Sequence, residues 1–153
     1  MASDTTVSLS GCLKIKEICK VEPSCGHALP FFVARVSAGF PSPAEDYIEK
    51  KLDLHDLLVK HPAATFFVRV EGRSMEGAQI FSGDILIVDK SLQPKNDSIV
   101  VAVINGEFTV KRIHLHEGRL FLMPENSHFP PLEVKEEMDF QIWGVVTHVI
   151  HAL

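Results

Sequence analysis

After residue 60 the chain is dominated by short apolar runs and by strict alternation. Thr65–Glu71 alternates, while Ile85–Val88 and Ile99–Ile104 are continuous apolar runs of strand length. Asn105-Gly106 separates Ile99–Ile104 from a further strand over Glu107–Ile113. This is the strongest short hairpin signal, because both residues tolerate the positive φ of a type I′ turn. Glu117-Gly118 marks another turn before Arg119–Met123, and Ile142–Ile150 supplies a closing strand. One stretch has helical spacing: Leu54, Leu57 and Leu58 follow Asp53, a suitable N-cap, and Pro62 closes the run. The pattern predicts a mainly β, antiparallel domain with one short helix.

Ahead of it lies a long N-terminal arm. Ser37-Ala38-Gly39-Phe40-Pro41-Ser42-Pro43-Ala44 combines small residues with two prolines and is predicted to be extended, not helical. The arm carries four basic and three acidic side chains, the remainder eleven and seventeen, so a weakly basic arm is free to lie against an acidic body. The full length of 153 residues leaves room for one core plus appendages. A net charge of −5 argues against broad phosphate-backbone binding and against direct sequence-specific DNA contact as the main activity.

Cys12, Cys19 and Cys25 lie in the first 25 residues without C-x-x-C spacing and read as reduced cytosolic thiols. His27 follows Cys25, but the spacings fit no common zinc template. Leu9-Ser10-Gly11-Cys12 resembles a lipoprotein cleavage box, yet Met1 to Ser8 has neither the basic residue nor the apolar run of an export signal. No segment approaches the ~20 apolar residues of a membrane span, so a cytoplasmic protein is expected.

Ser74, in Gly72-Arg73-Ser74-Met75 directly after a strand, sits where a sharp turn exposes a hydroxyl and aims backbone N–H groups at a reacting carbonyl. A turn serine is the ordinary alternative. Alternation places Glu107, Thr109 and Lys111 on one strand face, which taken literally makes Lys111 solvent-facing. An apolar pocket would instead lower its pKa and make the neutral amine a general base. His114 and His116 share a strand face without a third metal ligand. His55, His61, His128, His148 and His151 are scattered and read as surface imidazoles. Glu133, Glu136, Glu137 and Asp139 read as a solvated loop. Phe31-Phe32 and Phe66-Phe67 read as packing residues more than as nucleic-acid stacking platforms.

Six ordered segments change this picture. They are Gly39-Phe40-Pro41-Ser42-Pro43-Ala44, His61-Pro62-Ala63-Ala64-Thr65, Gly72-Arg73-Ser74-Met75, Ser82-Gly83-Asp84-Ile85-Leu86-Ile87-Val88-Asp89, Glu107-Phe108-Thr109-Val110-Lys111-Arg112 and Trp143-Gly144-Val145-Val146-Thr147-His148. Together they resemble the UmuD/MucA-type SOS mutagenesis proteins, within the LexA-like self-cleaving serine proteases of peptidase family S24. The resemblance runs from residue 36 to about 150 and includes the separation between Ser74 and Lys111.

It implies a LexA/signal-peptidase-like fold of coiled antiparallel sheets. It also implies a Ser-Lys dyad in which Lys111 takes the Ser74 proton and Ser74 attacks the bond between Ala38 and Gly39. Backbone N–H groups of Arg73 and Ser74 would form the oxyanion hole, and no cofactor or metal is called for. The implied division is an arm, 1–38, removed by self-cleavage, and a serine protease-like β body, 39–153. The trimmed body would be the accessory subunit of a UmuC-type translesion polymerase. It would be a homodimer whose cleavage a RecA filament on single-stranded DNA stimulates, with the replicative polymerase clamp as a further candidate partner. Residues 1–30 match nothing in that family, so the three cysteines inherit no role from it.

A LexA-type repressor would need a helix-turn-helix domain in the 38 residues before Gly39, which carry no second helical pattern. A leader peptidase would need a membrane anchor. The remaining rival is a non-cleaving regulatory subunit that only binds a polymerase; intact Ser74, Lys111 and Ala38-Gly39 argue against it.

Overall fold

The computed structural model describes residues 12–21, 28–32 and 49–153. Among them are ten strands: β1 (Lys14–Lys20), β2 (Ala28–Phe32), β3 (Glu49–Asp53), β4 (Thr65–Glu71), β5 (Ile85–Asp89), β6 (Ile99–Ile104), β7 (Glu107–His116), β8 (Arg119–Met123), β9 (Leu132–Val134) and β10 (Phe140–Ile150). One α-helix, α1 (Leu54–Leu58), follows β3, and two single-turn 3-10 helices lie at Pro62–Ala64 and Glu76–Ala78. The start of α1 is set as expected: the Asp53 carboxylate accepts the His55 N–H at 2.8 Å, satisfying a donor that the first turn leaves free.

Eight strands form one antiparallel sheet in the order β1-β4-β5-β10-β6-β7-β8-β9, and β2 pairs with β3 separately. The hairpin turns behave as their sequences demand, with Asn105 at φ 48° and Gly106 at 82°, and Glu117 at 49° before Gly118 at 74°. β10 is the long central strand that lets the sheet curl. It pairs with β6 through its first half and β5 through its second, with register shifts on both sides. Gly144 sits at that bend, where a Cβ would lie 2.6 Å from Val88 Cγ1.

Inside the curl Leu13, Val68, Val70, Met75, Ile80, Leu86, Val88, Val101 and Val110 form the main core. Phe66 and Phe108 pack on Trp143 at 5.1 and 5.8 Å between ring centroids, at the margin of that core. A second cluster, Val100, Ala102, Ile104, Ile113 and Leu122, fills the opposite face. The curl is tight enough that the residue before β1 reaches β7, where the Leu13 carbonyl accepts the Val110 N–H at 3.4 Å.

Three expectations need amendment. The strands of the arm, β1 and β2, and the short β9 carry no alternation that would have announced them. Glu133 lies in β9, while Glu136, Glu137 and Asp139 are exposed residues before β10. Lys111 does not face solvent: it is only 5% exposed, because Ser74 and the start of the arm cover its face of β7. The expected extended segment at 37–44 and the bond between Ala38 and Gly39 lie outside the described residues.

Candidate active site

β4 delivers Ser74 and β7 delivers Lys111. β4 ends at Glu71, and Gly72 turns the chain at φ 128°, a conformation closed to most side chains. The turn buries Ser74 and anchors Met75 in the core, both with no exposed surface. The loop between β8 and β9 grips it from behind. Glu125 N–H donates to the Ser74 carbonyl at 2.8 Å, Gly77 N–H donates to the Glu125 carbonyl at 2.7 Å, and Asn126 Nδ2 donates to the Arg73 carbonyl at 2.8 Å. Arg112 forms an ion pair with Glu125 that ties β7 to the same loop.

Lys111 Nζ lies 3.2 Å from Ser74 Oγ, 2.9 Å from Thr109 Oγ1 and 3.1 Å from the Val110 carbonyl. Burial pushes the Lys111 pKa below its ordinary 10.5, and the Cys12 sulfur beside it acts in the opposite sense. A neutral amine has two N–H donors and one lone pair. With Thr109 Oγ1 and the Val110 carbonyl accepting the two donors, the lone pair is left for the Ser74 hydroxyl proton. Thr109, two residues from Lys111 on the same face, thus orients the amine; sequence reading placed it on that face without giving it a task.

Leu13 occupies the mouth of this site. Its N–H donates to Ser74 Oγ at 2.9 Å, and its carbonyl accepts from Thr109 Oγ1 at 3.4 Å. Nothing in the sequence signalled that Leu13 meets Ser74, since the contact spans 61 positions and rests on no motif.

The histidines are occupied elsewhere. His61 Nδ1 pairs with Asp89 at 2.5 Å, His151 with Asp84 at 2.6 Å, and the rings of His114 and His116 stack on β7. Among the described residues no group of His, Cys, Asp and Glu side chains has a metal-holding arrangement, and no helix is long and apolar enough to cross a membrane.

The Peptidase S24-like family matches residues 30–147. Protein MucA of Salmonella typhimurium is 51% identical over 123 residues, which cover 80% of this chain and 84% of that protein. Protein ImpA of Escherichia coli is 48% identical over 122 residues, covering 80% and 83%. The LexA repressor of Bordetella petrii is 36% identical over 126 residues, 82% of this chain but 55% of the repressor. The buried serine and lysine described above both fall inside the matched region, and this chain belongs to the Peptidase S24-like family.

Proposed function

We propose that this protein is a self-cleaving serine protease of the SOS response that cuts its own chain between Ala38 and Gly39. The observation that carries the reading is the buried Ser74 Oγ at 3.2 Å from the Lys111 amine. In the first step the Ser74 proton passes to Lys111 Nζ while Oγ bonds to the Ala38 carbonyl carbon. The bond to Gly39 N then breaks as the Lys111 ammonium returns its proton to that nitrogen. Water, deprotonated by the neutral amine, finally hydrolyses the Ala38 ester. The products are an arm, 1–38, ending in a carboxylate, and a body, 39–153, beginning with an amine.

Asn126 has a positioning task in this scheme. It holds the Arg73 carbonyl on one side of the turn, and in a trans peptide the Ser74 N–H faces the other side, where the oxyanion forms. Asn126→Ala is expected to slow cleavage by up to about 10²-fold with the fold retained, measured as the rate of fragment appearance alongside a melting curve. An unchanged rate would remove Asn126 from the scheme.

The lowered pKa of Lys111 gives a pH signature with a definite sign. Only the neutral amine accepts the Ser74 proton, so unassisted cleavage rises with pH and levels off above a midpoint below 10.5. Between that midpoint and 10.5 the unfolded chain holds more protons than the folded one, so stability also climbs with pH across this window. A rate that peaks near pH 6 and then falls would point to a histidine base instead.

The wider role rests on the family resemblance and on the MucA and ImpA relatives. The trimmed body acts as the accessory subunit of a UmuC-type error-prone polymerase, as a cytoplasmic homodimer, and a RecA filament on single-stranded DNA stimulates the cut. Incubating the purified protein at alkaline pH and weighing the fragments tests the protease. Co-purification of the 39–153 fragment with a UmuC-type polymerase tests the partner; failure of the two to associate would reject that part of the role.

A further inference from the structure

The geometry points to an inhibitory plug: Cys12 and Leu13 occupy the place that the Ala38–Gly39 bond must take, so the arm blocks its own cleavage until its first residues leave the cleft. The inference rests on the dyad proposed above and names its regulation.

Four contacts fill the site. Leu13 has no exposed surface and packs in the main core with Val70, Met75 and Val110. Its N–H reaches Ser74 Oγ at 2.9 Å and its carbonyl reaches Thr109 Oγ1 at 3.4 Å. With a neutral lysine, the hydrogen bonds close a circuit from Leu13 N–H to Ser74, Lys111, Thr109 and back to the Leu13 carbonyl. The Cys12 carbonyl oxygen lies 2.5 Å from where a Cβ on Gly72 would stand, so the backbone of residue 12 fits only because residue 72 is glycine. A carbonyl under attack needs to approach Ser74 Oγ to about 3–3.5 Å, and that volume already holds the backbone of residues 12 and 13. The plug is not itself presented for attack: the Leu13 amide nitrogen faces Oγ, while the Cys12 carbonyl lies against Gly72.

The same strand is built to leave. β1 is an edge strand held by pairing with β4, and its two buried anchors are Leu13 and Val21, 0% and 5% exposed, one beyond each end. Between them Lys14, Lys16, Glu17, Ile18, Cys19 and Lys20 are exposed, and the register slips between Ile15 and Glu17. Within the strand Ile15 alone packs partly buried on the main core, so β1, paired on one side only and exposed along most of its length, opens more readily than the central strands. From Val21 to Ala38 the chain has 17 residues, a reach of roughly 55 Å when extended, ample to return to Ser74 after the first residues peel away.

The test compares unassisted cleavage of the full chain with Leu13→Met, Leu13→Asp and Ser74→Ala variants, and with a variant lacking residues 1–13, at one alkaline pH. If the plug holds most molecules closed, the observed rate is the intrinsic rate times the open fraction. Leu13→Asp and the shortened chain should then cut at least about tenfold faster than the parent, and Leu13→Met at the parental rate. A synthetic peptide of residues 9–21 should slow the Leu13→Asp protein, and the same peptide carrying Leu13→Asp should not. Equal, Ser74-dependent rates in the parent, Leu13→Asp and the shortened chain would overturn the plug while leaving the dyad standing. A large fragment beginning at Leu13 would overturn it too, because the segment would then be a substrate. Absence of Ser74-dependent cutting in every variant would overturn the dyad and the plug with it.

Discussion

Ser74→Ala and Lys111→Ala are each expected to abolish self-cleavage, lowering the rate by more than about 10³-fold, while the protein stays folded. In the proposed mechanism the two residues work as one unit: without Oγ there would be no nucleophile, and without the amine nothing would take its proton in a site where Ser74 is fully buried. Effects of such partners do not add, so the double variant should be no slower than either single one. The fold should survive because neither side chain is part of the main apolar core, and Met75, Val70 and Val110 keep their packing in either variant. Lys111→Ala also removes a buried amine whose charged form is disfavoured there, so the stability gain with rising pH should disappear with it. The checks are a time course of fragment masses and a melting curve across pH. A Lys111→Ala protein that cuts at the parental rate would exclude Lys111 as the base.

Gly39→Val is expected to stop processing without unfolding the body. Ala38 and Gly39 are the smallest adjacent pair in the Ser37–Ala44 segment, and a cleft that holds a leucine backbone between β4 and β7 is narrow. A β-branched residue on the leaving side restricts the bend the chain needs to present its carbonyl, and it adds bulk beside the attacking oxygen. Val36, two residues before Ala38, is proposed to anchor the segment in a shallow apolar pocket, so Val36→Asp should slow the cut as well. The measurement is the amino-terminal sequence of the large fragment. Normal processing of Gly39→Val would refute the proposed geometry.

Much of the body was legible in the sequence because its signals are local. Thr65–Glu71 and Ile99–Ile104 became β4 and β6 with unchanged ends, since their apolar positions match the pleat and the Asn105-Gly106 turn pins the register of the hairpin. The helix was legible because Asp53 caps it locally, accepting the N–H of His55 two residues on. β1 was not, because Lys14–Lys20 is exposed on nearly every residue and its strand state comes from pairing with β4 about 50 positions away. The burial of Lys111 was illegible for a related reason. Alternation on β7 says which side chains share a face, and whether that face is covered depends on Ser74 and Leu13, 37 and 98 positions away. The candidate dyad itself came from the ordered family segments, since Gly72-Arg73-Ser74-Met75 alone reads first as an ordinary turn.

Self-cleavage by Ser74 is read most directly from the intact masses of the products formed by purified protein at alkaline pH, with the Ser74→Ala variant incubated in parallel. Two fragments, 1–38 and 39–153, are expected from the parent, and an unchanged full-length chain from Ser74→Ala. An uncut parent, or the same two fragments from both proteins, would contradict self-cleavage by Ser74.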